Sequence, residues 1–205
     1  RPYVAAAGRL EKIKGFQDVV DAMRSLPGLD LRIAGSGQYE AALRERAAGL
    51  PNVLFEGRLD AARVAALFRG ARAVVVPSLV YETFGYVVLE AFAERSPVIV
   101  RDLGALPELV AESGGGLVFN SPESLVDSLR RLASDDSLRR RLGENGHRTR
   151  EGIWSEPEHL DRYFALIDEH RRRRRLRIDR AHPHARPASR RRASVERSHD
   201  LVTPH

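Results

Sequence analysis

The sequence predicts an α/β domain with a doubly wound, Rossmann-like parallel sheet, and two patterns support that prediction. Short apolar runs alternate with segments of helical periodicity over residues 3–134, as in folds that wind helices over both faces of a sheet. The runs are continuously apolar, which is typical of parallel strands buried on both faces. Strands are therefore predicted at residues 3–7, 29–34, 53–55, 73–76, 97–100 and 116–119.

Turn residues mark where the helices between these strands begin. Gly8 ends the first strand, and Gly15 permits a close turn before the first helix. Gly35 and Gly37 lead from the second strand into the second helix, and Gly85 opens the fourth helix. The predicted helices cover residues 16–25, 39–48, 61–69, 85–94, 105–111, 123–133, 137–150 and 156–174.

The composition excludes several classes of protein. The chain has 205 residues and no cysteine, which excludes a disulfide framework and thiolate metal sites and fits a reducing compartment. No apolar run approaches the roughly 18–20 residues of a membrane-spanning helix, and no signal peptide is visible. We therefore expect a cytoplasmic protein whose only membrane contact would be peripheral.

The positive charge of the chain is concentrated at its end. The whole chain has a net charge of +6, but residues 170–205 carry 12 Arg and three acidic residues, while the rest has a net charge of −3. We predict a domain at residues 1–170 and a disordered, Arg-rich tail at residues 171–205, because the tail has few large apolar side chains. The tail could contact an anionic membrane surface, although a solvated tail without a partner is favoured. It lacks interleaved aromatic residues, so no specific nucleic acid is expected.

Two cations follow the first predicted strand. Arg9 and Lys14 flank a loop beyond the carboxyl end of that strand, where open α/β sheets bind their ligands. Arg offers a planar fork and Lys a point charge, which is a common pairing for a diphosphate. Two solvated surface cations are an equally good interpretation of this feature alone.

The second predicted strand leads into Gly35-Ser36-Gly37. This resembles half of a dinucleotide-binding fingerprint, and a helix N-terminus beyond it would offer free N–H groups to an anion or to the edge of a base. The remaining glycine of the fingerprint is missing, and glycines of this kind are usually turn residues.

The third candidate segment carries two carboxylates. Glu82 lies in the loop after the apolar run at residues 74–78, and Glu90 stands eight residues later among apolar neighbours. A helix that begins near Phe84 would point the N–H groups of Phe84 and Gly85 at a ligand and put Glu90 roughly 9 Å further along its axis. A buried carboxylate needs hydrogen-bond donors, and sugar hydroxyls would serve. The alternative is a Glu82 that interacts with the helix dipole and a partly exposed Glu90 paired with an Arg.

These segments, in this order, resemble the donor-binding half of a retaining glycosyltransferase of family four, which has the GT-B fold. The resemblance covers residues 3–155, and its motifs are "GRL…KG", "GxG" and "ExFGxxxxEA". They are matched by Gly8-Arg9-Leu10 with Lys14-Gly15, by Gly35-Ser36-Gly37, and by Glu82-Thr83-Phe84-Gly85 with Glu90-Ala91.

The resemblance implies a nucleoside-diphosphate sugar as substrate and assigns roles to these residues. Arg9 and Lys14 would neutralise the donor diphosphate as it leaves, and Glu82 would hold the transferred sugar. Glu90 would bind the ribose hydroxyls. The remaining donor-binding positions would be Gly8, Gly35, Ser36, Gly37, Gly57, Arg58, Thr83, Phe84 and Gly85.

The same resemblance implies transfer with retention of configuration, through attack on the donor face from which the diphosphate leaves. No metal and no cofactor are expected, since the sequence has no Asp-x-Asp motif. It departs from the family pattern at Arg95, where a Gly is common, and at Ala105, which replaces the second Gly of a pair.

The family's acceptor-binding N-terminal domain is missing, so we expect the chain to need such a domain, upstream or on another chain. In the family the helix at residues 156–174 packs back toward that domain, and here its apolar side chains at 160, 163, 164 and 167 would lack part of their cover. Two alternatives remain open. One is a stand-alone nucleotide-sugar binding module without activity. The other, ranked low, is a hydrolase that uses Glu82 and Glu90 as acid and base at the spacing of inverting enzymes.

Overall fold

The computed structural model describes residues 1–82 and 85–181, with the backbone only at residues 156 and 174–181. Within these residues a parallel six-stranded sheet has the order β3-β2-β1-β4-β5-β6. The predicted α/β fold class is thereby confirmed. The strands are β1 Tyr3–Ala7, β2 Asp30–Ala34, β3 Val53–Gly57, β4 Val74–Val76, β5 Val98–Arg101 and β6 Gly116–Phe119.

Helices connect the strands as the alternating pattern predicts. The first helix is followed directly by a 3₁₀ turn at Met23–Ser25, and another 3₁₀ turn, Lys12–Lys14, precedes it. The helices are α1 Phe16–Ala22, α2 Glu40–Arg46, α3 Ala61–Gly70, α4 Tyr86–Ala93, α5 Leu106–Ser113, α6 Pro122–Ser134, α7 Asp136–Glu151 and α8 Glu156–Ala181.

The two faces of the sheet bury two separate apolar cores. On one face, α1, α2 and α6 pack against strand residues such as Val4 and Ile33. On the other face, α3, α4 and α5 pack against residues such as Val74 and Val100. Strand β4 is buried along its whole length, which explains why the sequence shows continuous rather than alternating apolar runs.

The strand order reverses between β1 and β4, which are neighbours in the sheet. Helix α1 follows β1 onto one face, and α4 follows β4 onto the other. The loops after these two strands therefore diverge at the carboxyl edge of the sheet. Ligands of doubly wound folds bind in the crevice at such a switch point.

The end of the chain differs from the prediction in one respect. Helix α8 continues to Ala181, so the first part of the segment predicted to be disordered is helical. Arg and Leu are good helix formers, and Arg173 pairs with Glu169 one turn earlier, at 2.5 Å. Residues 182–205, where the rest of the predicted tail falls, lie outside the described residues.

The chain divides into two compact units, Arg1–His159 and a second that begins at Leu160, earlier than the predicted boundary after residue 170. In the second unit Leu160, Tyr163 and Phe164 are 42, 54 and 58% exposed, as expected of an apolar stripe that lacks cover. None of the helices in residues 1–82 and 85–181 combines the length and the apolar character that crossing a membrane requires.

Candidate functional site at the switch point of the sheet

Glu82 lies at the centre of the crevice and receives two short hydrogen bonds. Lys14 Nζ and Ser78 Oγ each donate to Glu82 Oε1 at 2.7 Å. The Lys14 and Glu82 side chains are 23 and 22% exposed. Partial burial raises the pKa of Glu82, but the hydrogen bonds from Lys14 and Ser78 and the charges of Lys14 and Arg9 outweigh it and hold this pKa below its usual value. Glu82 is therefore ionised at neutral pH and joined to a cation.

Arg9 lies at the mouth of the same crevice. Its side chain is 72% exposed and pairs with Glu11 at 2.7 Å. It lines a cavity of about 160 Å³ together with Gly8, Lys14, Ser78 and Glu82. The residues predicted to contact a diphosphate, Arg9 and Lys14, are thus brought together with the predicted sugar-binding carboxylate.

A second cavity of about 460 Å³ continues from the first. The two share Ala7, Gly8 and Arg9, and the second extends to Gly35, Ser36 and Arg58. These include residues that the sequence predicted near the nucleotide base. Gly37 and Gly57 are in the lining of neither cavity among the described residues. Together the two cavities form a continuous crevice along the ends of β1, β2 and β3.

The glycines of the Gly35-Ser36-Gly37 segment serve to bring two loops into contact. A Cβ at Gly35 would lie 1.9 Å from the carbonyl oxygen of Gly8, and one at Gly37 would lie 2.4 Å from that of Leu10. A backbone hydrogen bond joins the same two loops, from Leu10 N to Ser36 O at 3.0 Å, and another joins the β2 loop to the end of β3, from Gly35 N to Gly57 O at 2.7 Å. The Gly35 N–H is therefore already used within the protein. Of the three residues, Gly35 and Ser36 face the crevice, and Gly37 has a packing role.

Glu90 lies in the second turn of α4, and its position corrects part of the sequence interpretation. The burial expected from its apolar neighbours is wrong, because the residue is exposed. It lies outside the linings of both crevice cavities. However, Val87 lines the smaller cavity, and Glu90 stands one turn further along the same helical face. Among the described residues no donor or cation pairs with Glu90, and partial desolvation raises its pKa.

The N-terminus of α4 begins one residue later than predicted. Gly85 is its N-cap, with φ 72°, a conformation that favours glycine. Gly85 is buried beneath α5, since a Cβ there would lie 2.9 Å from Leu106 Cδ2. Thr83 and Phe84, which the sequence predicted as donor-binding residues, lie outside the described residues.

A family model described as "Glycosyl transferases group 1" matches residues 1–149, which is the unit that carries this crevice. The chain belongs to the glycosyl transferases group 1 family. The glycosyltransferase resemblance predicted from the motifs is confirmed at that level, together with the GT-B type of fold.

Three proteins illustrate the family relationship. "Lipopolysaccharide core biosynthesis glycosyltransferase LpsE" of Rhizobium meliloti is 31% identical over 171 residues, 81% of this chain and 49% of LpsE. A "GDP-mannose-dependent alpha-(1-6)-phosphatidylinositol dimannoside mannosyltransferase" of Mycobacterium tuberculosis is 34% identical over 139 residues, 65% of this chain and 36% of that protein. The crystal structure of the C-terminal domain of LpcC, a group 1 glycosyl transferase of Francisella tularensis, is 26% identical with a TM-score of 0.67, and the match covers 76% of this chain and 87% of that one.

This group 1 domain spans about half of LpsE, or 49% of its length. Its match to a solved C-terminal domain shows that the described fold corresponds to one domain of such proteins. The chain is thus similar to one half of a larger glycosyltransferase.

Two residues at or next to the crevice were not predicted from the sequence. Ser78 directly follows a buried strand and is 1% exposed, and its hydroxyl reaches Glu82. Arg101 ends β5, and its Nε donates to the Pro77 carbonyl oxygen at 3.0 Å. Arg101 also forms an ion pair with Asp18 and lies over the Phe119 ring, 4.8 Å from its centroid. A charged residue at the end of an apolar strand was the signal for Arg101, and the polar residue after "VVVP" was the signal for Ser78.

Other cavities of the group 1 domain lie elsewhere. One of about 470 Å³ lies between α1 and α6, and one of about 590 Å³ is lined by residues of α3, α4 and α7. Although both are larger than the cavity at Glu82, neither contains a predicted site residue. No group of three or more His, Cys, Asp or Glu residues within the described ranges could hold a metal ion.

Proposed function

We propose that this domain binds the nucleoside-diphosphate sugar donor of a retaining glycosyl transfer, as a family-four member of the GT-B enzymes. The observation that carries the proposal is the Lys14–Glu82 pair, 2.7 Å apart, beside Arg9 at the switch point of the sheet. The pair combines cations for an anionic leaving group with a carboxylate for hydroxyl groups. The similarity to a GDP-mannose-dependent mannosyltransferase of Mycobacterium tuberculosis supports this class of donor.

The diphosphate binds to Arg9 and Lys14. Lys14 has three N–H donors and uses one of them on Glu82, so two stay available for phosphate oxygens. Arg9 adds a planar fork at the mouth of the crevice. These cations stabilise the charge that develops on the departing diphosphate, and this type of stabilisation is usually the largest single contribution to catalysis.

The transferred sugar binds to Glu82. Its Oε1 accepts the hydrogen bonds from Lys14 and Ser78, while Oε2 accepts none from the described residues. Because Glu82 is ionised, Oε2 is a strong acceptor for sugar hydroxyls. The N–H group of Gly85, the N-cap of α4, is proposed to complete this end of the site, together with Thr83 and the N–H group of Phe84.

The nucleoside binds along the larger cavity. The base lies near Gly35, Ser36, Gly57 and Arg58, and the ribose hydroxyls donate to Glu90, which stands one helical turn beyond Val87 of the smaller cavity. Glu90 is exposed and pairs with no donor or cation among the described residues, so its carboxylate is open to ligand hydroxyls. The base itself stays open among uracil, guanine and adenine.

The reaction transfers the sugar without a metal. The acceptor oxygen attacks the anomeric carbon from the face on which the diphosphate leaves, and the bond between that carbon and the phosphate oxygen breaks. A donor phosphate oxygen takes the acceptor's proton. Configuration is thereby retained. The cations Arg9 and Lys14 compensate the negative charge of the departing diphosphate.

Hydrolysis by Glu82 and Glu90 as an acid–base pair is not favoured. A general acid needs a raised pKa at neutral pH, whereas the pKa of Glu82 is lowered by its partners. Glu90 has a raised pKa but lies outside the lining of both crevice cavities.

The acceptor is proposed to bind to a second domain, upstream or on another chain. Exposed apolar side chains in the loops after β1 and β4 support this. Leu79 and Tyr81 follow β4 and are 42 and 79% exposed, and Ile13 in the β1 loop is 46% exposed. Leu79 N donates to the Ile13 carbonyl oxygen at 2.8 Å, so the loops that carry Ile13 and Leu79 are adjacent. Exposed apolar surfaces of this kind mark interaction sites.

Calorimetric titration of the purified chain tests the proposal. The ligands are UDP, GDP and ADP and their sugars UDP-glucose, GDP-mannose and ADP-glucose. We expect at least one pair to bind, with affinity reduced more than about tenfold by Arg9→Ala or Glu90→Ala, the loss of one charged hydrogen bond. Arg63→Ala, an exposed Arg on α3, is the matched control. Unchanged affinity in both site variants would refute the site.

A transfer assay separates the donor half of an enzyme from a stand-alone binding module. The isolated chain should transfer no sugar to any acceptor, and activity should appear when an acceptor domain is supplied. Turnover by the purified chain alone would refute the need for a second domain. Donor binding that never leads to transfer with any acceptor domain would favour the binding module.

A further inference from the structure

We propose that Ser78 and Arg101 are positioning residues that fix the orientation of Glu82 for the transferred sugar. The inference rests on the proposed function, because it assigns Glu82 to the sugar. It concerns two residues that do not belong to the predicted donor contacts. Ser78 acts directly on the carboxylate, and Arg101 acts on the segment that carries Ser78.

Ser78 determines which carboxylate oxygen faces the ligand. Its hydroxyl donates to Oε1 of Glu82 at 2.7 Å, and Lys14 donates to the same oxygen. Two donors on one oxygen leave Oε2 as the acceptor that a ligand can use. Ser78 is 1% exposed, and its side chain has only one rotatable bond to its hydroxyl oxygen. It therefore fixes the carboxylate more firmly than the long and flexible Lys14 side chain can.

Arg101 holds the backbone next to Ser78. Its Nε donates to the carbonyl oxygen of Pro77 at 3.0 Å, the residue directly before Ser78. Its guanidinium also pairs with Asp18 of α1 and covers the ring of Phe119 in β6. Arg101 thus joins the β4 loop to α1, the helix that follows the Arg9–Lys14 loop. A Lys could not make both contacts, because it lacks the planar fork.

The loop that carries Lys14 and Gly15 is in close contact with the loop that carries Pro77 and Ser78. A Cβ at Gly15 would lie 1.9 Å from the Pro77 carbonyl oxygen, which is the oxygen that Arg101 binds. The position of Lys14 relative to Glu82 therefore depends on the contact between Gly15 and Pro77. Arg101 holds Pro77 in place for that contact through its hydrogen bond. A small shift at Pro77 would pass directly to Ser78 and so to Glu82.

The test compares two affinities within each variant. Titrations of wild type, Ser78→Ala and Arg101→Lys use UDP with UDP-glucose, GDP with GDP-mannose and ADP with ADP-glucose. In both variants we expect the sugar-bearing ligand to lose about fivefold in affinity, the effect of one hydrogen bond of about 1 kcal/mol, while the diphosphate without sugar changes less than about twofold. Ser96→Ala is the control, because Ser96 is also buried, at 2% exposure, but its hydroxyl has no hydrogen-bond partner among the described residues.

A second measurement reads Glu82 without any ligand. Carbon-detected NMR of the Glu82 carboxyl across pH 3–6 should give a higher pKa in Ser78→Ala than in wild type, because one hydrogen bond to the ionised form is lost. An unchanged pKa would overturn the role of Ser78. Equal losses for the ligands with and without sugar would show a merely structural effect and would also overturn the inference.

The two proposals fail in different ways. If wild type binds none of the six ligands, the proposed function is refuted for this chain, and the sugar role of Ser78 and Arg101 falls with it. If wild type binds and both variants keep the wild-type ratio of sugar-bearing to sugar-free affinity, only the positioning inference is refuted. Should Ser78→Ala not fold, Arg101→Lys decides alone by the same ratio.

Discussion

The loop after β4 and helix α4 each carry a carboxylate, and the two carboxylates differ in their hydrogen-bond partners and in the direction of their pKa shifts. In the loop after β4, Glu82 accepts hydrogen bonds from Lys14 and Ser78, and these lower its pKa despite partial burial. In helix α4, Glu90 is more exposed, but it has no partner among the described residues and its pKa is raised by desolvation. Exposure alone therefore does not decide the direction of these pKa shifts, because the hydrogen bonds and nearby charges outweigh burial at Glu82.

The difference separates what the fold supplies from what a ligand must supply. The donors of Glu82 come from the protein, so this carboxylate is held in place before a ligand arrives. The donors of Glu90 are absent from the described residues, so its favourable hydrogen bonds must come from a ligand or from water. We infer that Glu82 provides geometry and Glu90 provides ligand-dependent affinity.

Lys14→Ala should have the largest effect on ligand affinity. It removes a cation from the proposed diphosphate site and one of the two partners of Glu82. We expect the affinity for the best-binding nucleoside diphosphate to fall about 10- to 100-fold, since hydrogen bonds to charged groups contribute about 1.5–3 kcal/mol. Calorimetry measures the effect, and Lys12→Ala is the control because Lys12 is exposed and lines neither crevice cavity. Equal losses in the two variants would point to general electrostatics instead of a specific contact.

Glu90→Gln should separate binding from stability. The substitution removes a charge that has no partner among the described residues and whose pKa is raised by partial desolvation. The free protein should therefore keep or gain stability, while the affinity for the diphosphate ligand should fall about tenfold. Urea unfolding can be followed by the fluorescence of Trp154, the only Trp in the chain, which stacks on Phe92 in α4 with ring centroids 6.2 Å apart. Glu112→Gln, at an exposed position on α5, should change neither quantity. A destabilised Glu90→Gln protein would show that Glu90 has a partner.

The pH dependence of stability should have opposite signs for the two carboxylates. The pKa of Glu82 is lowered below the ordinary 4.5, so its contribution is fully present above pH 4.5 and is lost as the pH falls through the folded pKa. The pKa of Glu90 is raised above 4.5, so its contribution is fully present below 4.5 and is lost as the pH rises through the folded pKa.

Urea unfolding between pH 3 and pH 7 measures both effects. Glu82→Gln should be less stable than wild type at pH 7 by up to about 1 kcal/mol, the scale of a partly exposed pair, and this deficit should shrink below pH 4.5. The stability of Glu90→Gln relative to wild type should instead increase as the pH rises. Parallel pH profiles for the two variants would contradict the assignment of opposite shifts.

The smallest effect concerns the end of α4. Arg95 adopts φ 54°, a left-handed conformation that favours glycine after a helix. Arg95→Gly should stabilise the protein by about 1 kcal/mol relative to Arg95→Ala, because both lose the exposed pair with Glu144 and only Gly relieves the backbone. Ligand affinity should stay unchanged in both variants. Measuring it therefore tests whether a change in the stability of α4, the helix that carries Glu90, alters binding. Equal stability of the two variants would refute the strain.

Sequence reasoning predicted the strands closely because parallel strands leave a local signal. Residues 3–7 and 116–119 were predicted as the structure has them, since both are short, continuous apolar runs between turn residues. The convergence of Arg9, Lys14 and Glu82 could be predicted because strand ends meet at one edge of the sheet. The exposure of Glu90 could not, since the covering of a helix face depends on neighbours far away in sequence. The contacts of Arg101 with Pro77 and Asp18 connect three elements that are distant in sequence, so no local pattern in the sequence could predict them.

The departure at Arg95 also shows how a motif carries physical information. The family pattern has a Gly there, and the structure has the positive φ that a Gly would adopt freely. The backbone thus keeps a conformation whose usual residue has been replaced. The resemblance was informative even at a position where the residue differs.

The clearances around the crevice differ from one end to the other, and this has a consequence for redesign. At Gly15 and Gly35 a methyl group would strike a carbonyl oxygen at 1.9 Å, whereas at Gly57 nothing lies within 4 Å. Libraries aimed at the proposed base contacts should therefore vary Arg58, which lines the larger cavity, and leave Gly15 and Gly35 untouched. The proposed base contacts can then be changed without altering the loops that carry the proposed diphosphate contacts.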